Sequence, residues 1–255
     1  MIDSPSEVIK LRRGNFFEDN IMKGLAFIYC MQYIGYMKQH TFIRSIKRQS
    51  LSEQIYESLR AAIIRLELAP GQKIKDVDLA EQFNVSRTPI REAIKRLETE
   101  GLVVSEPGAV TRIKAIDLEE VKQAFVVVAS LHRLAARLAV PILSKEQIAQ
   151  LKIYNEELKR SIENDDMISA ITADDRFHQV FIKASKNKEI EKVLDYLIPK
   201  LRRLEYQKFD SKRGLSSFVD HKAIIKASEK KDVPKVETLV EQNWLSLSDY
   251  LIQLK

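Results

Sequence analysis

The sequence predicts a mainly α-helical protein: a compact mixed segment over residues 45–116, then an all-α domain of six helices over 117–255. An extension at 1–40 precedes both. Three observations carry this. Only seven Gly and seven Pro punctuate 255 residues, well below the roughly 12% these two breakers usually make together. Apolar residues recur at helical spacing through most of the chain after residue 50. One stretch alone, Leu102 to Ile116, carries the paired short runs and tight tip of a β-hairpin. Charged residues at 31% with so few turn residues argue against a sandwich or barrel.

Composition also excludes function classes. Cys30 is the single cysteine, so an internal disulfide framework or a cysteine-rich zinc module is ruled out. No two glycines are spaced GxG, and GxxxxGK(S/T), HExxH and GxSxG are missing. Phosphate-loop and serine-hydrolase chemistry lose their usual support. The net charge of +6 suits a polyanionic partner.

Taken in order, residues 1–40 stand apart. Ile21 to Met37 is mostly apolar but contains Lys23. It is short for a membrane span of about 20 residues. It makes a poor signal peptide, since Glu18 and Asp19 precede it and no small-residue cleavage site follows. It reads as a peripheral helix or as sequence ahead of an internal start, so a membrane partner is not expected and the cytoplasm is. Ile55, Leu59, Ala62 and Ile63 then mark a first helix, ended by the Ala69-Pro70-Gly71 turn. Asp76 to Phe83 is a short second helix with Asp76 and Asp78 in its first turn, where the helix dipole favours them. Asn84-Val85 is the joint. Ser86 is a suitable N-cap for the third helix, Pro89 fits its first turn, and Gly101 stops it. The hairpin runs Leu102–Ser105, Pro107-Gly108, Val110–Ile116.

On a helical wheel, Ile90, Ile94 and Leu97 fall within roughly 60° of one another, at about 100° per residue. Thr88, Arg91 and Lys95 form a polar stripe away from that core. A short helix, a tight joint and a second helix with Arg and Thr at its start describe a helix-turn-helix, and the hairpin adds a wing. The recognition helix enters the major groove N-terminus first. Arg can read guanine O6 and N7, while Ser86, Thr88 and the free N–H groups at the helix start suit phosphate oxygens.

Here the residues match a family. Leu68-Ala69-Pro70-Gly71, Asp78-Leu79-Ala80, Val85 to Ala93 (VSRTPIREA) and Leu97 to Val103 (LETEGLV) together resemble the winged-helix domain of GntR-family bacterial transcription regulators. The resemblance spans about 50 residues. It implies phosphate and base contacts from Ser86, Arg87 and Thr88, base reading by Arg91, and minor-groove approach by Gly108 at the wing tip. One position departs: the residue before Asp78, often an Arg contacting DNA in the family, is Val77.

The six C-terminal helices break at Pro141–Ser144, Glu163–Asp166, Ser185–Asn187, Asp210–Gly214 and Lys230–Pro234. Five polar residues sit on the apolar faces of four of them: His132 with Phe125, Val128 and Ala135; Asp174 and His178 with Ile171 and Phe181; His221 with Phe218 and Ile225; Asn243 with Val236, Val240 and Leu247. One buried polar residue is an ordinary satisfied core group. Five on four separate helices, including an i, i+4 Asp–His pair, suggest a shared polar cavity, and Asp174 with His178 can ligate one metal.

Asp174-x-x-Phe177-His178 followed by Ser185-Lys186-Asn187 resembles the FCD effector domain of the FadR subfamily, and six helices resemble its VanR-type branch. The resemblance implies one divalent metal, zinc or nickel, at the floor of an effector pocket, with Asp174, His178 and His221 on three ligand positions and Asn243 where a His is usual. An amide oxygen is a weaker ligand for such metals than imidazole. The first helix lacks the subfamily's Arg-x-x-Leu-Glu; Val128-Ala129-Ser130-Leu131-His132 stands there, placing His132 to line the pocket or reach the metal. Arg202 is a candidate for the pocket's charge, although adjacent Arg202 and Arg203 read first as surface residues. The function implied is a DNA-binding regulator, a repressor, acting as a homodimer on double-stranded operator DNA and answering to a small-molecule effector, for which a carboxylate is typical. The competing reading is a metal-dependent enzyme using the Asp174/His178/His221 cavity.

Overall fold

The computed structural model describes residues 50–105, 110–208 and 211–253. The apolar run at Ile21–Met37 and the wing tip at Gly108 lie outside them.

The N-terminal part is built from α1 (Leu51–Ile64), β1 (Lys73–Ile74), α2 (Asp76–Gln82), α3 (Arg87–Thr99), β2 (Val103–Ser105) and β3 (Thr111–Ile113). Ser50 caps α1 by accepting from the Glu53 N–H at 3.1 Å. The α2–α3 joint closes by two backbone bonds, Val85 N–H to the Ala80 carbonyl and Asn84 N–H to the Glu81 carbonyl, at 2.9 and 3.0 Å. That pairing puts Asn84 at φ 52°, a conformation Asn tolerates better than most residues. Gly101 does the same after α3 at φ 69°, with Leu102 N–H on the Leu97 carbonyl at 2.9 Å. Leu97 and Leu102 meet there inside a core with Ile55, Leu59, Ile63 and Ile90.

The sheet has one more strand than the hairpin expected. Its order is β1-β3-β2, all antiparallel, with Lys73 opposite Arg112 and Val103 opposite Ile113. A two-residue strand is too short to show the alternation by which a strand is recognised.

The remaining described chain forms α4 (Leu118–Ala139), a 3₁₀ turn at Val140–Ile142, α5 (Lys145–Glu163), α6 (Met167–Ser185), α7 (Lys188–Gln207), α8 (Ser211–Glu229) and α9 (Val233–Gln253). The caps follow local chemistry: Asp117 for α4, a Ser144/Gln147 capping box for α5, Asp166 for α6 and Asn187 for α7. α4 packs most extensively on α9, and α5 on α6 and α8. Phe125, Phe177, Phe181 and Trp244 are fully buried at the centre. The stretch Leu118–Ile142 is long and apolar enough to cross a membrane by length and composition; in this fold, Phe125, Val128 and Ala135 instead bury its inner face against the other helices.

Candidate DNA-reading face and buried polar centre

Ser86, Arg87, Thr88, Arg91 and Lys95 are exposed, while Ile90, Ile94 and Leu97 are buried beneath them. Ser86 holds the N-cap position of α3, but its side chain makes no capping bond. Val77 is exposed beside this face. One residue here was not read as a site. Asp76, in the first turn of α2, accepts from Arg91 Nε at 2.6 Å and from Arg87 Nη2 at 2.9 Å. Hydrogen bonds from Arg91 and then Arg87 hold its carboxyl below the usual range. Both candidate DNA-contacting arginines are thus held by one carboxylate, and all three side chains line a groove with Lys95 of α3 and Ser105, Val110 and Thr111. The signal lay in the sequence as an acid eleven residues before Arg87, but only the fold sets the two face to face.

The second constellation lies inside the helical domain. Asp174 and His178 on α6 and His221 on α8 are buried, and one ligand atom from each lies within 4.8 Å of the others. Asp174 Oδ1 stands 3.5 Å from His221 Nε2 and 3.9 Å from His178 Nε2. Ligands at about 2.0–2.1 Å from a tetrahedral zinc stand roughly 3.4 Å apart, so these spacings fit a divalent ion. Asn155 on α5 supplies the supporting contact. Its amide donates to the Phe218 carbonyl at 3.2 Å, so its oxygen faces His221 Nδ1 at 3.1 Å and accepts that proton. His221 therefore presents the Nε2 lone pair toward Asp174, the tautomer a metal requires. Phe177 stacks on the His221 ring at 3.7 Å and fixes its plane.

Asn243 on α9 is buried next to this group. It is hydrogen-bonded to His178, and its amide donates to Asp220 Oδ2 at 3.3 Å. His132 is not part of the three-donor group. It stacks on Trp244 at 4.5 Å and meets His178 edge-on at 5.1 Å. Neither of its ring nitrogens has a hydrogen-bond partner among the described residues. Burial pushes the His132 imidazole well below its ordinary value. Burial, against the pull of Asp174, lowers His178 to about 4. Both rings are neutral near pH 7.

The expectation that Arg202 and Arg203 lie on the surface is overturned: they are 2% and 3% exposed. Arg202 Nη2 donates to Asp174 Oδ2 at 2.8 Å and to Asp175 Oδ1 at 2.6 Å, while its Nη1 pairs with Glu205. Arg203 donates to the Lys114 carbonyl, tying α7 to the strand that leaves the wing. Burial alone raises the Asp174 carboxyl, but the Arg202 guanidinium outweighs it and holds the group ionised. A guanidinium offers enough donors to satisfy several carboxylates at once, which is what makes its burial tolerable.

Beside this centre opens a cavity of about 670 Å³. His132, His178, Arg202 and Trp244 line it at one end, and Arg60 and Ile64 of α1 at the other.

Comparison with known proteins agrees with this architecture. Residues 51–113 match the model of the bacterial regulatory proteins of the gntR family, and residues 123–244 match the FCD domain. The repressor RspR of Escherichia coli is 26% identical over 208 residues, covering 81% of this chain and 91% of that protein. The Nta operon transcriptional regulator of Aminobacter aminovorans is 31% identical over 147 residues, covering 56% of this chain and 68% of that protein. Among solved structures, E. coli McbR/YncC superposes with a TM-score of 0.70 at 22% identity, covering 81% of this chain and 99% of that one. The chain belongs to the GntR family of bacterial transcription regulators and carries an FCD domain behind its winged helix.

Proposed function

We propose that this regulator is a homodimeric repressor whose operator affinity answers to a small carboxylate bound in the FCD cavity. The observation that carries the reading is the cavity of about 670 Å³ ending on His178 and Arg202, in a chain whose α3 presents Arg87, Arg91 and Lys95 to solvent. Asp174, His178 and His221, with the Asn243 amide oxygen nearby, would hold one divalent ion. When bound, that ion supplies a Lewis-acidic anchor for an anionic ligand. Arg202 keeps Asp174 ionised, and Asn155 keeps His221 in the ligating tautomer. The repressor sense follows the name of RspR.

On DNA, Arg91 is the base reader, Arg87 and Thr88 contact base or phosphate, and Ser86 and Lys95 contact phosphate, with Gly108 approaching the minor groove. Val127, Leu134 and Leu138 of α4 are exposed apolar residues at i, i+7 and i+11. Such a stripe suits the matching face of a second copy, and a two-fold dimer matches a two-fold operator.

The test is selection of fragmented genomic DNA by the purified protein, followed by sequencing. A few sharply enriched inverted repeats are expected, and Arg91→Ala is expected to weaken them by about 1–3 kcal/mol while relaxing one operator position. Diffuse enrichment with no shared motif, unchanged by Arg91→Ala, refutes the assignment.

A further inference from the structure

α7 contains a break that the rest of its helix does not repair. Pro199 lies inside it and has no N–H to donate. The carbonyl left without its intrahelical donor is four residues earlier, on Asp195. Arg60 Nη2, from α1 of the winged helix, donates to that same Asp195 carbonyl at 2.7 Å and to Asp195 Oδ1 at 3.0 Å. Arg60 Nε in turn donates to Glu100 Oε2 at 3.0 Å. Glu100 is the C-cap of the recognition helix and also accepts from Tyr56 of α1. A single side chain therefore joins the weak point of α7 to both α1 and α3.

The same stretch of α7 is a wall of the cavity. Leu194, Asp195, Ile198, Pro199 and Arg202 line it, with Arg60 opposite. From Asp195 to Arg202 the helix rises about 10 Å, so one end of this wall touches the buried polar centre and the other touches the DNA-reading domain. Helices bend most easily where a proline has removed a rung.

We infer that Arg60 is a positioning residue that reads the state of the cavity: it completes the Asp195 carbonyl at the Pro199 break and carries displacement of α7 to the recognition helix through Glu100. This deepens the effector reading and rests on it, since the cavity is the effector site there. A ligand pressing on Pro199 or Arg202 changes the angle at the break, and the Asp195 carbonyl moves relative to Arg60. Coupling of this kind needs a contact that differs between two states, and this contact joins the two domains at the cavity wall.

The experiment uses the full chain and no effector, so its failure leaves the effector reading standing, and failure of that reading leaves its result intact. The first arm is a double-mutant cycle in urea with Arg60→Met and Pro199→Ala. Pro199→Ala returns an N–H to the Asp195 carbonyl, while the Arg60 contacts to Glu100 and the Asp195 carboxylate are common to both backgrounds and cancel. Arg60→Met is expected to lower the folding equilibrium constant at least fivefold more in the wild-type background than in Pro199→Ala. Additive effects overturn the proposal. The second arm fills the cavity with Gln179→Trp and follows amide hydrogen exchange. Exchange in α1 and at the end of α3 is expected to change at least threefold along with α7, and the α1 change is expected to vanish when Arg60→Met is added. A change confined to α6 and α7 overturns the proposal. Should Gln179→Trp fail to fold, the urea cycle decides alone.

Discussion

Replacing Arg202 with methionine keeps the volume of the side chain and removes the cation. What remains is Asp174, buried, beside Asp175 and Glu205, with the guanidinium bonds of 2.8 and 2.6 Å gone. Breaking a buried pair by deleting one partner costs about 3–5 kcal/mol, because a desolvated charge is left uncompensated. For a chain of this size roughly 2–4 °C of Tm goes with each kcal/mol, so the loss is about 6–20 °C. Trp244 is the single tryptophan, and its ring lies 5.3 Å from the Arg202 guanidinium carbon. Its fluorescence therefore follows unfolding of the domain that holds the site. Two controls sharpen the result. Arg202→Met with Asp174→Asn is expected to be less damaging than the sum of the two, since the amide removes the orphaned charge. Zinc is expected to return part of the loss if it binds beside Asp174, about 2.7 kcal/mol at a hundredfold excess over its Kd. A loss below about 1 kcal/mol for Arg202→Met, or strict additivity with Asp174→Asn, refutes the argument that Arg202 is the counter-charge of this centre.

Three further outcomes are expected. Asp76→Ala removes a carboxylate from the DNA face and frees Arg87 and Arg91; affinity for a generic duplex, read by fluorescence anisotropy, should rise several-fold, and unchanged affinity would count against Asp76 as a competitor for the phosphates. Acid should destabilise the helical domain through His178. Its folded value of about 4 lies below the ordinary 6.5, so between those pH values the unfolded chain binds a proton that the folded chain refuses. Stability is then fully present above pH 6.5 and falls by up to about 3 kcal/mol by pH 4, at 1.36 kcal/mol per unit; His132, lowered in the same direction, adds to the fall. A Trp244-monitored Tm that is the same at pH 5 as at pH 7.5 contradicts this. Finally, the proposed dimer is tested by Leu134→Asp with Leu138→Asp, which places charge on the exposed stripe of α4: light scattering should show a dimeric mass for the wild-type chain and a monomeric one for the variant, and equal masses refute an interface on this stripe.

What the sequence made legible is what helix periodicity encodes. Ile90, Ile94 and Leu97 repeat at the helical period, so the outward direction of Arg91 and Lys95 follows from neighbours only a few residues away. Asp174, His178 and His221 each interrupt an apolar face, and an interruption of a pattern is also local information; that one ligand atom of each lies within 4.8 Å of the others is the consequence of faces packing together. The burial of Arg202 was illegible for the opposite reason. Beside Arg203 it has the pattern of a solvated pair, and whether an arginine can be buried depends on how many carboxylates meet it. Two of its three, Asp174 and Asp175, come from another helix. Asn155 was silent too, because its role depends on the Phe218 carbonyl, 63 residues away. Pro199 falls between these cases. A proline within a long helical run announces a lost bond in the sequence itself, and the carbonyl it leaves is known by counting back four residues. Which group meets that carbonyl is a long-range fact, set 135 residues earlier by Arg60. Asp195 is exposed, so water too can meet this carbonyl, and the Arg60 bond is expected to contribute only the modest net of an ordinary hydrogen bond, about 0.5–1.5 kcal/mol. That the donor comes from the DNA-reading domain follows only from the packing of α1 on α7, and it converts a local defect in one helix into a contact both domains depend on.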